Sequence, residues 1–413
     1  MDTVHSGAIT SVLSNGQEVR FNAAVTARLD SHAVSIIQPT QGGISNLFAG
    51  ASIQNDIIIN SSAINYATDM FLQITLTNSG ITGAALLPVP YWFAQSPASF
   101  QIILSGQSCN NYYPQELMAR FLARPMAQVL CSSPAVNTPV IVGTGAAYSA
   151  TTTTLAPSTT QDYILPLDKI TFLTSGVLLD AIKSEVRFRF FTQTLANMCV
   201  SGQDLVNIDV SCIKFQIIQT GVSLDADSFQ RAKANYSQGA IHLFPTLATN
   251  LTQLIVGAVD ANVQIPRQVL KCAPGAYSGI LFTLQDLNVT TPQSIVTPIV
   301  LNYMQLFTSS GTPINYNNPY SLLIYTNSEL FPESNMWTSG SWSKGYIFQS
   351  LCTQLKASLL GLQQHGAARF NGSESVIVAP ASDTANLQIN LYMFQNASYG
   401  ILQDGGVQYN VRV

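Results

Sequence analysis

Charge is scarce in this chain of 413 residues: Asp, Glu, Lys and Arg together make up 9%, against roughly 25% in an ordinary soluble domain, while 47% is hydrophobic. With 17 basic and 21 acidic residues, a net charge of -4 and no run of three basic residues, the chain lacks the cationic surface that displaces counterions from phosphates. Specific nucleic-acid binding is therefore excluded as its main work. A skin of Ser, Thr, Asn and Gln supplies little self-repulsion to keep single copies apart, so much of the surface is expected to be buried between copies of the chain.

The chemistry-bearing residues are equally sparse. The six cysteines, Cys109, Cys131, Cys199, Cys212, Cys272 and Cys352, form no CxxC and no chelating pair with histidine, and are read as small apolar thiols. Only His5, His32, His242 and His365 are available as bases, and the stretch FNGSES at 370–375 is not a nucleophile elbow. Gly143 and Gly145, like the pair Gly405-Gly406, lack a following Lys or dinucleotide spacing and read as turn glycines. Asp162 and Asp168 bracket an apolar stretch but lie on a strand that fixes no shared pocket, so they read as turn caps. No catalytic, cofactor-binding or metal-binding residue is assigned, and the chain is not expected to be an enzyme. The start, Met1-Asp2-Thr3-Val4-His5, has no basic patch followed by an apolar run, and no stretch approaches 18 uninterrupted apolar residues. Assembly where the protein is made is the expectation.

What is present is a period of two. Segments 55–62, 70–80, 99–107, 184–194 and 206–220 alternate or run apolar over strand length and end in Gly, Asn, Ser or Pro. Val186, Phe188 and Phe190 would share one face, with Arg187 and Arg189 on the other. Asn15-Gly16 predicts a hairpin between two alternating stretches. A helical spacing at 113–130, with Leu117, Phe121 and Leu122, interrupts the strands until Pro125. After a polar passage with a short helical look at 225–234, the plan recurs. Strand-like segments stand at 261–266, 277–289, 299–311 and 320–328, then a helical stripe of Leu351, Leu355, Leu359 and Leu362, then three more strands. Strands, helix and strands occurring twice predict an all-β protein of two tandem eight-stranded jelly rolls, each a β-sandwich with a short inserted helix. The expected division is 1–45 as an N-terminal arm or small added sheet, 46–220 as the first roll, 221–250 as a connection and 251–413 as the second roll.

The most specific stretch is C-terminal. Ile389-Asn390-Leu391-Tyr392 is followed by Asn396, Tyr399, Ile401-Leu402, Gly405-Gly406 and Tyr409. This pattern, with the layout of the first half, resembles the double jelly-roll major capsid proteins of tailless icosahedral viruses, the lineage of membrane-containing phages and the adenovirus hexon. The match departs at the NASYG stretch, where two residues separate Asn396 from Tyr399. The resemblance implies a homotrimer whose six rolls make a pseudo-hexagonal capsomer, neighbouring capsomers, penton and minor capsid proteins and an internal membrane as partners, and a place in the virion, assembled in the host cell and in the cytoplasm of a bacterial host. It assigns Asn390, Tyr392, Asn396, Tyr399, Gly405 and Gly406 to the family-like motif. Loops at 131–166 and 310–345 would suit outward towers or trimer contacts.

Aromatic residues among small polar ones complete the candidate set. Trp92, Tyr112, Tyr113, Trp337 and Trp342 read as interface or loop anchors. The cluster around Tyr91, Trp92, Phe93, Tyr112 and Tyr113 reads as the seam between the sheet and the inserted helix; the alternative makes it an open stacking surface, as in a viral spike or another glycan- or receptor-binding β-protein. A glycoside-active sandwich would instead need convergent carboxylates on neighbouring strands.

Overall fold

The computed structural model describes residues 9–12, 18–21, 31–39, 53–59, 64–81, 83, 85–88, 100–117, 140–141, 152–167, 171–194, 207–236, 241–289, 298–314, 345–351 and 367–411. The first half is built on β1 (Ile9–Val12), β2 (Glu18–Phe21), β3 (Ser31–Pro39), β4 (Ile53–Ile58), β5 (Tyr66–Asn78), β6 (Ala85–Pro88), β7 (Phe100–Leu104), β8 (Gln107–Tyr112), β9 (Val140–Ile141), β10 (Thr152–Leu155), β11 (Thr159–Pro166), β12 (Val186–Thr192) and β13 (Val210–Leu224). One sheet runs β3-β13-β5-β11-β9, the facing one β4-β12-β7-β8, and β10 pairs with β6 in a separate ribbon. The crossing order between the two sheets, in which chain neighbours β3 and β4 part to opposite layers, is that of a jelly roll.

The second half repeats that order with β14 (Ile241–Val259), β15 (Gln268–Val269), β16 (Gly275–Asp286), β17 (Leu301–Phe307), β18 (Ile347–Ser350), β19 (Ala368–Phe370), β20 (Ser375–Pro380), β21 (Thr384–Ile401) and β22 (Val407–Val411). Its large sheet runs β14-β21-β16-β18, with β19 on β16 and β22 on β21, and β15-β20-β17 faces it. The equivalence is strand for strand: β3, β13, β5 and β11 of the first roll correspond in order to β14, β21, β16 and β18 of the second. The chain has the double jelly-roll fold.

The alternation in the sequence produces the two cores directly. On β12, Val186, Phe188 and Phe190 are buried, while Arg187 and Arg189 lie outside over β4. There the Arg189 guanidinium holds Asp56 through two bonds, Nε to Oδ1 at 2.8 Å and Nη2 to Oδ2 at 3.0 Å, and Arg187 Nη1 adds a third at 3.0 Å. Partial burial alone pushes the Asp56 carboxyl up, but the bonds from Arg189 and Arg187 outweigh it and hold the group below the usual carboxylate range. Phe100 stacks on Phe190 at 4.7 Å in the middle of the first core. Ile280, Phe282, Met304, Val376, Ile389 and Leu391 fill the second.

Several expectations are corrected. The first sheet begins before residue 46, because β3 pairs along its whole length with β13, from Leu224↔Ser31 to Gln216↔Pro39. The strands on either side of Asn15-Gly16, β1 and β2, pair antiparallel, and β2 joins β14 in parallel, so the pair extends the second sheet. The connection is shorter than 221–250: only Asp225, helix α1 (Ala226–Tyr236) and the four residues after it separate β13 from β14. Segment 261–266 is not a strand. It is a turn with Asn262 at φ 62 and Val263 exposed, its backbone tied to β20 by Ile265 N donating to Val378 O at 3.0 Å. The supposed tower 131–166 contains β11, an integral strand opposite β5. Asp162 caps no turn; it sits mid-strand and accepts from Thr75 Oγ1 at 2.5 Å and Gln73 Nε2 at 3.1 Å. Helix is described at 114–117, and residues 118–130, 352–366 and 320–328 lie outside the described residues. Among the described residues no helix is long and apolar enough to cross a membrane.

Candidate assembly site at the seam between the rolls

A jelly roll offers polar outer faces to water, yet the outer face of the second large sheet is polar and buried. Thr249, Thr283, Gln388 and Asn390 all point away from the second core and are all shielded from solvent. Buried polar groups persist only with partners, and here the first roll supplies them to Thr249, Thr283 and Asn390. The chain leaves β8 through Tyr113 and Pro114 into the helical turn 114–117, whose polar side chains reach across to β14, β16 and β21.

Gln115 is the centre. Its Oε1 accepts from Thr283 Oγ1 at 2.6 Å, Tyr392 OH at 2.9 Å and Asn390 Nδ2 at 3.3 Å. Beside it, Glu116 Oε1 accepts from Thr249 Oγ1 at 2.6 Å. Asn390 Oδ1 in turn accepts from Gln253 and Gln388, which extends the ladder along β21. Upstream on β8, Asn110 donates to the Leu247 carbonyl at 3.1 Å and accepts from Tyr409 OH at 3.0 Å. Burial, reinforced by Tyr346 and Glu116, pushes the Tyr392 phenol far above its ordinary value, so it remains a donor. Burial does the same for Tyr399 and Tyr409.

The two longest strands carry apolar packing across the seam as well. The face of β21 that covers the second core with Leu387, Ile389, Leu391 and Met393 continues, at the same parity, into Tyr399 and Ile401, which belong to the first core. Tyr399 stacks on Phe172 at 4.1 Å. Beyond β21, the turn carrying Gly405 docks on the first roll: Lys183 N donates to Gly405 O at 2.8 Å and Val407 N to Ser184 Oγ at 3.1 Å. Gly405 has φ 86, and a Cβ there would lie 2.9 Å from Ala181 O. Gly406 N donates to Asp404 Oδ1 at 2.8 Å and closes the turn.

The structure thus brings together Tyr112, Tyr113, Asn390, Tyr392, Tyr399, Gly405 and Gly406 at one seam. Tyr112 is buried against Phe100, with ring centroids 5.3 Å apart, and Tyr113 lies 5.9 Å from Tyr392. Asn396 is on the same strand and is held by Ser278 Oγ. Trp92, Trp337 and Trp342 lie outside the described residues. Sequence reasoning missed Asn110, Gln115, Thr249 and Thr283. The available signal was the polar alternation of β21, whose Gln388 and Asn390 demanded partners once that face was covered. Among the thiols, burial pushes Cys212 up to about 12 and Cys272 up to about 11, so both are held as neutral apolar groups. Asp225 is the N-terminal cap of α1, accepting from Ser228 N at 2.8 Å.

No protein-family model and no curated protein sequence matches the chain. Its fold matches solved structures over nearly its whole length. PBCV-1 VP54, fitted into a reconstruction of the virophage Sputnik, aligns with TM-score 0.61 and 13% identity, over 94% of this chain and 98% of that one. The Faustovirus major capsid protein aligns at 0.53 and 8%, over 95% and 92%. The mavirus major capsid protein aligns at 0.51 and 11%, over 94% and 92%.

Proposed function

We propose that the chain is the major capsid subunit of an icosahedral virus, forming homotrimeric, pseudo-hexagonal capsomers that tile the virion shell. The observation that carries this reading is the double jelly-roll fold over nearly the full chain, shared with proteins whose work is to build capsids. The seam gives it a physical basis. Two similar rolls fused into one unit let three copies present six similar faces, and the charge-poor surface suits many contacts that are weak singly and strong together.

In this reading the partners are the chain itself and adjacent capsomers, with penton and minor capsid proteins completing the shell, and the protein resides in the virion. Binding energy comes from repeated buried area and not from chemistry in a pocket, so no enzymatic activity is assigned. The three tryptophans Trp92, Trp337 and Trp342 are the proposed anchors between copies, since Tyr112 and Tyr113 are engaged within the chain. The rival, a glycan-stacking surface, loses Tyr112 to the first core. Light scattering and negative-stain imaging of the purified protein test the proposal. The expected result is a species near three times the 44.5 kDa chain mass, seen as a six-sided ring or as closed shells. A stable monomer that binds or cleaves glycans would overturn it.

A further inference from the structure

The turn between β19 and β20 is built like a small reaction site. Asn371 and Ser373 are exposed, Gly372 sits at φ 91, and Glu374 behind them is buried. Gly372 N–H donates to Glu374 Oε2 at 2.9 Å, and Asn371 N–H donates to the same carboxylate at 3.0 and 3.2 Å. The Asn371 side-chain carbonyl Oδ1 accepts from Ser373 N at 3.0 Å and from Ser373 Oγ at 2.5 Å. Gly372 is required there twice over: its φ favours glycine, and a Cβ would lie 2.8 Å from Cys272 O.

In chemical terms, a backbone nitrogen with no side chain on its Cα to hinder it has a carboxylate on its proton. The adjacent carboxamide has two donors on its oxygen. These are the general base and the oxyanion donors that acyl transfer needs. We infer that Asn371-Gly372 is a self-modifying site, at which the folded turn promotes conversion of Asn371 to aspartate and isoaspartate through a succinimide. Gly372 N attacks Asn371 Cγ as its proton passes to Glu374. The tetrahedral oxyanion on Oδ1, held by Ser373, collapses, and Nδ2 takes the proton from Glu374 and leaves as ammonia. Water then opens the ring at either carbonyl. The product adds a negative charge beside the buried Glu374, in a chain whose net charge is only -4. Repeated over many copies in an assembly, it would act as a clock of particle age.

The test is peptide mass spectrometry of the full-length folded protein over time at neutral pH, beside the same chain held unfolded in urea. The other Asn-Gly pair, Asn15-Gly16, serves as an internal reference. Asn371 is expected to convert about tenfold faster in the folded chain than in the unfolded one, the lower end of what a positioned base contributes being larger still. Glu374→Gln keeps an acceptor for the two backbone N–H groups but removes the base, and is expected to return the rate to the unfolded value. Ser373→Ala, at an exposed position, is expected to lower the rate and carries the test if Glu374→Gln does not fold. A folded rate equal to or below the unfolded one would mean that the hydrogen bonds lock the turn, and would overturn the inference. So would rates unchanged in both variants.

Discussion

Two glycines with nearly the same backbone separate conformational strain from docking. Gly106, in the β7–β8 turn, has φ 85 and nothing within 4 Å of where a Cβ would be, whereas Gly405 has φ 86 and would place a Cβ 2.6 Å from Lys183 Cγ and 2.9 Å from Ala181 O. Gly106→Ala is expected to cost about 1 kcal/mol, the handedness penalty alone. Gly405→Ala should cost about 3 kcal/mol, because the Ala181 carbonyl cannot move without pulling the first roll away from the turn. Denaturant midpoints at unchanged slope measure both. Equal shifts in the two variants would show that the Gly405 turn is not held against the first roll. The Gly-Gly pair stood out in the sequence as a turn. Its contact with Lys183, more than two hundred residues earlier, had no sequence signal.

Among the elements, the helical turn 114–117 and strand β21 hold the rolls together. Gln115→Met preserves length and burial but leaves the Thr283 hydroxyl, the Tyr392 phenol and the Asn390 amide without their shared acceptor. Leaving buried donors unpaired costs about 1–3 kcal/mol each, so a loss of about 3 kcal/mol is expected after relaxation. Hydrogen exchange should quicken in β14, β16 and β21 while β5 and β12 keep their protection. Uniform change across both rolls would instead place the damage in the cores. The strand character of β5, β12, β16 and β20 was legible from alternation, because each has a face that must be buried. Segment 261–266 deceived for a physical reason: it alternates, but Asn262 turns left-handed and Val263 faces solvent.

At the scale of the whole molecule, acid and alkali act through different groups. Cys272 rises from 9.0 to about 11, Cys212 from 9.0 to about 12 and Tyr277 from 10.0 to about 12, in each case chiefly by burial. Each binds its proton more tightly folded than unfolded, so its contribution to stability is intact below pH 9 and is lost as pH climbs through the folded values. Denaturant midpoints should be level from neutral pH to 9 and fall steadily toward 11, within the window set by these shifts. A level profile up to 11 would show that the thiols reach water. Asp56 runs the other way: its carboxyl is held low, so its contribution is present above the unfolded value and is lost as pH falls through the folded one.

By itself, the sequence determined the class of this protein. Alternation fixes which faces must be buried, and scarce charge fixes a surface with little to keep copies apart. The recurrence of strand-length segments in the two halves fixes two similar sandwiches. Those are local or summed properties, readable residue by residue. Tertiary structure alone decided that Asn110, Gln115 and Glu116 would meet β14, β16 and β21, and that Tyr399 would leave one core for the other. It also decided that a polar sheet face would be buried. Such pairings join residues far apart in the chain, and a hydrogen bond between them leaves no periodicity in either segment. Only when the two rolls close does the polar face of the second lose its water, and the partners that replace the water are then the ones that geometry brings within reach.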